Sequence, residues 1–538
     1  MARIKRSGNR LSIGSWSMPF APSDVFSKRA SRNLTASLPK DPGNDTASER
    51  STAKRTGPEA ADRTLAAKPM TNGPEIKTTN QAGNAKPIVG KLETETAGRR
   101  SMAKPTTNSL VQLAAVITRE TEKLDRYIRE SGAPAPSFDI DGPLDFPKLP
   151  DEIKAAREEV VRATKELGDL VTGPKEGVRW LAWGHNNSLS LHGIYHYRIA
   201  KSFPVGETAS YAQIAEKVGL DEGNVRRFIR HAMTNRIFWE VDPDTVAHTA
   251  ASRVLAEDVA MDDWVGFCVE DMFPATSQTV SALKSHPSAD EPTRTGFCVA
   301  NNTADIEPMF ATFSQSPARA KRFGGAMASL TGGVGYELSH LLSMYPWAAL
   351  PRTATIVDMG GSHGFVCIEL AKHNPEMRFI VQDLPKMIAS APAPAELDAH
   401  VRDRVTFQAH DFFTEQPVKG ADVYLFRWIL HNHSDKYSVK MLRALIPALK
   451  KGARVVINDH VLREGFDWET LWDEKIIRTM DLVMLTLLNA KERDEAGFRT
   501  LFGLVDSRFR FVGVRREEGC RMGVVEAVWE GEDFGGSV

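Results

Sequence analysis

Apolar residues follow a helical period through the first ordered half of this chain and a strand period through the second. Leu110, Leu113, Ile117, Leu124 and Tyr127 recur every three or four residues, which predicts one face of an amphipathic helix beginning near Ser109. A proline-rich stretch at 133–150 separates it from two further predicted helices, at 152–171 and 175–200. The second of these carries Trp180, Leu181, Trp183, Leu189, Leu191, Ile194 and Tyr195, more apolar surface than one buried stripe needs. It predicts packing against another subunit or domain. Residues 207–248 then read as two short helices and a hairpin, the order of a winged helix. Ile214, Ala215 and Val218 share a face of the first, Asp221 is placed to cap the second, and FWEVDPDTVAHT forms the hairpin. Residues 252–347 stay helical, with helices expected over 305–313 and 317–330. Spacing makes Met309, Phe310, Phe313, Phe323 and Met327 core residues there, and Trp264 is apolar in the same region.

At Ala354 the pattern changes. ATIVDMGGSHGFVCIELAKHNPEMRFIVQDLP is a short β-branched run, a glycine-rich turn, a helical segment and a second apolar run, hence a βαβ unit. It places Asp358 and Asp383 at the carboxyl ends of neighbouring parallel strands, where open α/β sheets bind ligands. Further strands are predicted at 405–409, 422–426 and 453–458, with Asp435 capping a helix through Leu449. A long helix over 469–488, a turn at 489–493, a helix over 494–504 and strands at 509–515 and 522–529 follow. The fold class is therefore α/β, a seven-strand Rossmann-like domain at 351–538 preceded by a mainly helical domain at 108–350.

Composition changes this picture in a few places. The first 107 residues are rich in Ser, Thr, Lys, Arg, Pro and Gly and lack any apolar period, so they predict a disordered tail. The opening forty resemble a mitochondrial transit peptide in composition, although their arginines show no amphipathic face, and a cytoplasmic location is the main expectation. A net charge of -1 gives no global attraction to nucleic acid or membrane, and no apolar run reaches the roughly 18 residues of a membrane span. Arg226, Arg227, Arg230 and Arg236 could touch phosphates if they faced outward, but a dimerisation scaffold accounts for the same helices. Four scattered cysteines predict reduced thiols, and with no CxxC or Cys/His ligand spacing no metal site is expected.

The glycines at 360, 361 and 364 do not match G-x-G-x-x-G, and Asp358 just before them would repel a pyrophosphate. A carboxylate there suits the ammonium group of an amino-acid tail, and Asp383 suits ribose hydroxyls, which together point to S-adenosyl-L-methionine.

VDMGGSHG, VQDLP, HDFF, RWILHNHSD, GARVVINDHVL and NAKERDEAGF, in that order, resemble the plant and fungal O-methyltransferases of the caffeic-acid type, and are similar to fungal secondary-metabolite enzymes such as the sterigmatocystin O-methyltransferases. The resemblance implies that Gly360 and Gly361 approach the methionine part of the cofactor and that Asp383 holds the ribose. It implies Leu384 against the adenine, Asp411 and Phe412 binding and covering it, and Arg427 at the cofactor's polar end. It makes His431 the general base, with Asp459 and Glu492 beside it. His433 stands where the family usually has Trp and offers a rival imidazole, and Asn432 replaces the commoner Asp. It also implies a homodimer acting on a small aromatic, polyketide-type phenol, with Phe310, Met327 and Trp264 as candidates to line the pocket. A neutral imidazole can accept a phenolic proton when proton removal and methyl transfer are coupled, and a carboxylate can orient its ring. A catalytically silent regulator, or an N- or C-methyltransferase, are the alternative readings.

Overall fold

The computed structural model describes residues 109–466 and 471–532. The predicted tail therefore lies outside the described residues, as does the expected start of the helix at 469. Helices α1 (Leu110–Ser131), α2 (Asp151–Thr172), α3 (Pro174–Trp183) and α4 (His185–His196) open the described chain. The single helix expected over 175–200 is divided at Gly184, which ends α3 and precedes α4. Strand β1 (Thr208–Ser210), α5 (Tyr211–Val218), α6 (Glu222–Met233), β2 (Trp239–Asp242) and β3 (Thr245–Ala247) follow, with β3 between β1 and β2 in an antiparallel sheet. Asp221 caps α6 by accepting from Asn224 N.

Helices α7 (Ala250–Glu257) and α8 (Val259–Gly266) lead through a π turn at Phe267–Met272 into α9 (Phe273–Ser285), then α10 (Gly296–Ala300), α11 (Met309–Ser314), α12 (Pro317–Thr331) and α13 (Leu338–Met344). The helix expected from 305 starts only at Met309. Asp305 has φ of 58°, and Pro308 disfavours helical backbone in the residue before it.

The second half holds β4 (Thr355–Met359), α14 (Phe365–His373), β5 (Arg378–Asp383), α15 (Pro385–Ile388), β6 (Val405–Ala409), β7 (Val423–Arg427), α16 (Asp435–Leu445), β8 (Arg454–Asp459), β9 (Val461–Leu462), α17 (Leu471–Leu488), β10 (Arg493–Asp494), α18 (Glu495–Val505), β11 (Phe509–Arg515) and β12 (Gly523–Trp529). Asp435 is not the cap expected of it; Ser434 holds that position and the Asp435 carboxylate pairs with Arg493 and Lys491. The α-helical part of α16 stops at Leu445, before a 3-10 turn that contains Pro447.

One sheet runs β11-β12-β8-β7-β4-β5-β6, parallel except where β12 pairs antiparallel with both neighbours. Strand alternation explains its two covered faces. Val357, Met359, Tyr424, Phe426, Val455 and Ile457 pack with α16 and α18 on one side. Ile356, Val423, Leu425 and Val456 pack with α13 and α14 on the other. The parallel strands all end at one edge, and β4 and β7 lie at its centre. A separate apolar cluster joins Phe267, Phe313 and Ala326 to Met484, Leu487 and Leu488 of α17, so the helices before the sheet are tied to the segment that runs into Glu492.

Candidate active site

The turn after β4 is set by backbone conformations that few side chains tolerate. Gly360 (φ 76°), Ser362 (φ 52°) and Gly364 (φ 72°) are all left-handed, and Gly360 N and Gly361 N both donate to the Gln382 carbonyl, at 2.8 and 3.0 Å. A Cβ on Gly360 would lie 2.7 Å from Ile429 Cδ1, and one on Gly361 would lie 2.6 Å from Asp358 Oδ2. The cradle therefore accepts only bare backbone at these two positions. Asp383, at the end of β5, accepts from Ser362 N at 2.9 Å and from Leu384 N at 2.7 Å. Burial raises its pKa while those two N–H groups oppose the rise. Asp358 is enclosed beneath Gly361, with its Oδ2 taking the Cys367 thiol at 3.5 Å, and burial pushes its pKa up to about 7. Its charge is thus sensitive to a cation brought close. Leu384 and Phe412 are half-buried, and Asp411 accepts from Phe413 N at 2.9 Å.

Arg427 ends β7. Its Nη2 donates to the Tyr336 carbonyl at 3.0 Å and its Nη1 to Asn458 Oδ1, while Nε is buried without a partner among the described residues. Burial lowers its pKa to about 10 against the opposing pull of Cys520, Asp358 and Asp459.

The imidazole of His431 is 5% exposed on a 3-10 turn between β7 and α16, and its Nδ1 lies 2.9 Å from Glu492 Oε1. If Nδ1 carries the proton, Nε2 is left with the lone pair. Burial works against the ring's charge, but the Glu492 carboxylate and then Asp459 outweigh it and hold its pKa above the ordinary value. Glu492 shows the complementary effect: burial would raise its pKa, yet His431 and His460 hold it well below the usual carboxylate range. Asp459 acts differently from the sequence expectation, which allowed it to orient the ring. Its Oδ2 accepts from the backbone N–H of His431 at 3.1 Å, so it holds the turn and not the imidazole.

The two histidines of HNH are separated by their surroundings. His433 packs edge-on against Phe412 and Phe413, and burial drives its pKa down to about 3, helped by Arg493 and His431. It is a neutral wedge without a carboxylate partner among the described residues.

Three contributors were not singled out in the sequence. His460 Nδ1 lies 3.3 Å from Glu492 Oε1, and its Nε2 lies 3.1 Å from the Tyr336 hydroxyl. Parallel pairing of β9 with β10 puts Val461 opposite Arg493, and that register sets His460 beside Glu492. Arg493, only 3% exposed, donates to the Leu430 and His433 carbonyls, to Ser438 Oγ and to Asp435 Oδ1, clamping the turn that carries His431. Its position in NAKERDE beside Glu492 was the only available signal. Asp481 of α17 accepts at its Oδ1 from Glu492 N at 2.9 Å. Around the ring, Asp459 Oδ1, Glu492 Oε2 and Trp428 Nε1 are buried without partners among the described residues. Such atoms are expected where a polar ligand is taken up.

Residues 297–505 match a family described as the O-methyltransferase domain. Chlorophenol O-methyltransferase of Trichoderma longibrachiatum is 51% identical over 422 residues, covering 78% of this chain and 90% of that protein. The O-methyltransferase pyvH of Aspergillus violaceofuscus is 40% identical over 432 residues, covering 78% and 99%. A grayanic acid biosynthesis cluster O-methyltransferase of Cladonia grayi is 38% identical over 426 residues, covering 79% and 89%. Among solved structures, OxaC in complex with sinefungin and meleagrin superposes with a TM-score of 0.57 at 22% identity, over 77% of this chain and 99% of OxaC. LepI in complex with SAM does so at 0.56 and 20%, over 78% and 100%. At those identities the likeness to OxaC and LepI is one of fold.

Proposed function

This chain belongs to the fungal S-adenosyl-L-methionine-dependent O-methyltransferases, and from that premise we propose that its acceptor is the hydroxyl of a small phenol, deprotonated by His431. The observation that carries the reading is the buried pair of His431 and Glu492, 2.9 Å apart at the carboxyl edge of the sheet beside the glycine cradle.

The residues present suit the cofactor. Gly360 and Gly361 leave room for close backbone approach, and Asp383 retains acceptor capacity beyond its two N–H bonds. When bound, S-adenosyl-L-methionine supplies a methyl group on a positively charged sulfur. The chain's own work is to place the acceptor, remove its proton and exclude water. His431 takes the acceptor proton at Nε2, and Glu492, already bonded at Nδ1, stabilises the imidazolium that results. Asp459 and Arg493 hold the turn so that the ring keeps its aim.

The first relative's name directs the choice of acceptor toward phenols, chlorinated ones included. The apolar cluster supports this: Trp264, Phe310, Phe323, Met327, Met480 and Val483 are half-buried against it, a wall suited to a flat apolar ring. The exposed helical face of Trp180 (60%), Leu181 (76%) and Trp183 (61%) supports a homodimer through α3, and a solution mass of a single chain would remove that part of the reading. Radiolabelled cofactor offered with simple, chlorinated and polyketide-derived phenols tests the whole. Methyl ethers formed by the wild type and lost in His431→Ala are expected; transfer to none of them, or equal transfer by the variant, would overturn it.

A further inference from the structure

We propose that His192, His196 and Glu270 form a binding site for a divalent transition-metal ion of the zinc class, separate from the methyl-transfer site. The two histidines lie four residues apart on α4, so their side chains project from the same face one turn apart. Glu270 comes from the π turn, and its Oε1 lies 3.5 Å from His192 Nε2 and 2.9 Å from His196 Nδ1. A tetrahedral ion with bonds of about 2.0–2.1 Å keeps its ligands about 3.4 Å apart. The first separation already has that value, and the second reaches it with a shift of about half an ångström.

The surroundings favour an ion over an ordinary salt bridge. The Glu270 side chain is only a quarter exposed, yet no lysine or arginine pairs with it among the described residues, and its partners are the two imidazoles. Asp271 beside it takes both Arg319 and Arg322. The π turn inserts a residue into an otherwise continuous helical run, a distortion found often at functional sites, and here it separates the environments of these two adjacent acids. His196 is 58% exposed in its side chain, which leaves water to fill the fourth position. Bound there, the ion would fasten α4 to the turn whose Phe267 and Met272 pack toward the apolar cluster.

A second group of this composition, His431, His460 and Glu492, is fully buried and assigned to proton transfer, so the experiment must separate the two. Full-length chain freed of metal by a chelator is titrated with zinc by calorimetry and with cobalt(II) by visible absorption. The expected result is one ion per chain at micromolar metal, a tetrahedral cobalt spectrum and a higher melting temperature. His192→Ala/His196→Ala should lose that binding at least tenfold, Glu270→Gln should weaken it, and Glu492→Gln should keep it. His196→Asn, at an exposed position, serves if the double variant does not fold. Zinc binding equal in wild type and these variants, loss of it in Glu492→Gln alone, or no binding at micromolar metal would overturn the assignment.

Discussion

His460 places its Nδ1 3.3 Å from Glu492 Oε1, the same oxygen that His431 Nδ1 approaches to 2.9 Å. One carboxylate oxygen thus sits between two imidazoles, and Tyr336 hydroxyl at 3.1 Å from His460 Nε2 completes the chain. Donation by Tyr336 to Nε2 would leave the His460 proton on Nδ1, where Glu492 needs it. His460 is therefore a positioning residue. Removing such a partner of a functional group commonly costs about 10- to 100-fold. His460→Ala should lower kcat within that range with the cofactor KM nearly unchanged, and Tyr336→Phe should do so more mildly. A cofactor KM that rises with the loss of kcat would show a general collapse of the site instead.

The charge of Glu492 determines the pH at which His431 becomes usable. The imidazole must be neutral to accept a proton, and its folded pKa is held above the ordinary value by Glu492 despite burial. Activity should therefore rise with pH through a value above about 6.5. In Glu492→Gln the raising charge is gone, so the rising limb should move to lower pH even as the plateau rate falls. Stability moves the opposite way with pH: the raised His431 pKa contributes stability below its unfolded value, and that contribution is lost as pH rises through the folded value. A pH–rate profile of kcat/KM for the variant measures this, and an unmoved limb would count against His431 as the titrating base.

Much of this site was legible as types and spacing, less as contacts. The seven strands could be read because each is a short apolar run, and the alternation of Val423, Tyr424, Leu425 and Phe426 matches the two sheet faces they occupy. The glycine turn was readable because left-handed backbone demands particular residues. The orientation of Asp459 was not, since a carboxylate near a histidine can hold either the ring or the backbone N–H, and only the path of the turn decides. Tyr336, His431, His460 and Glu492 lie far apart in sequence, and the meeting of His460 with Glu492 goes with a two-residue strand pair too short to leave a hydrophobic period. The sequence reading also set His433 against His431, and the aromatic contacts of His433 separate them.

Arg493 holds the His431 turn through the carbonyls of Leu430 and His433, Ser438 Oγ and the carboxylate of Asp435. A planar fork of donors makes these bonds together, whereas a lysine ammonium on a longer, flexible stem cannot reproduce them. Arg493→Lys should keep the charge yet lower kcat at least tenfold, and it should cost about 1–3 kcal/mol of stability because buried carbonyls lose donors. Turnover and chemical denaturation of the variant measure both effects. Wild-type values for Arg493→Lys would mean that charge alone suffices.

The need for a base depends on how readily the acceptor gives up its proton. A simple phenol, with a pKa near 10, is almost wholly protonated at neutral pH, so transfer to it depends on His431. Chlorine substituents withdraw electron density and make the hydroxyl more acidic, so more of the phenol reaches the site as phenolate. The loss in kcat/KM on His431→Ala should then be about 10²- to 10⁴-fold for a simple phenol and should shrink as chlorine atoms are added. A plot of that loss against acceptor pKa, for phenols of similar size, should slope upward. A flat plot would mean that His431 positions the acceptor without removing its proton, and the Glu492 pair would then be a structural anchor for the turn.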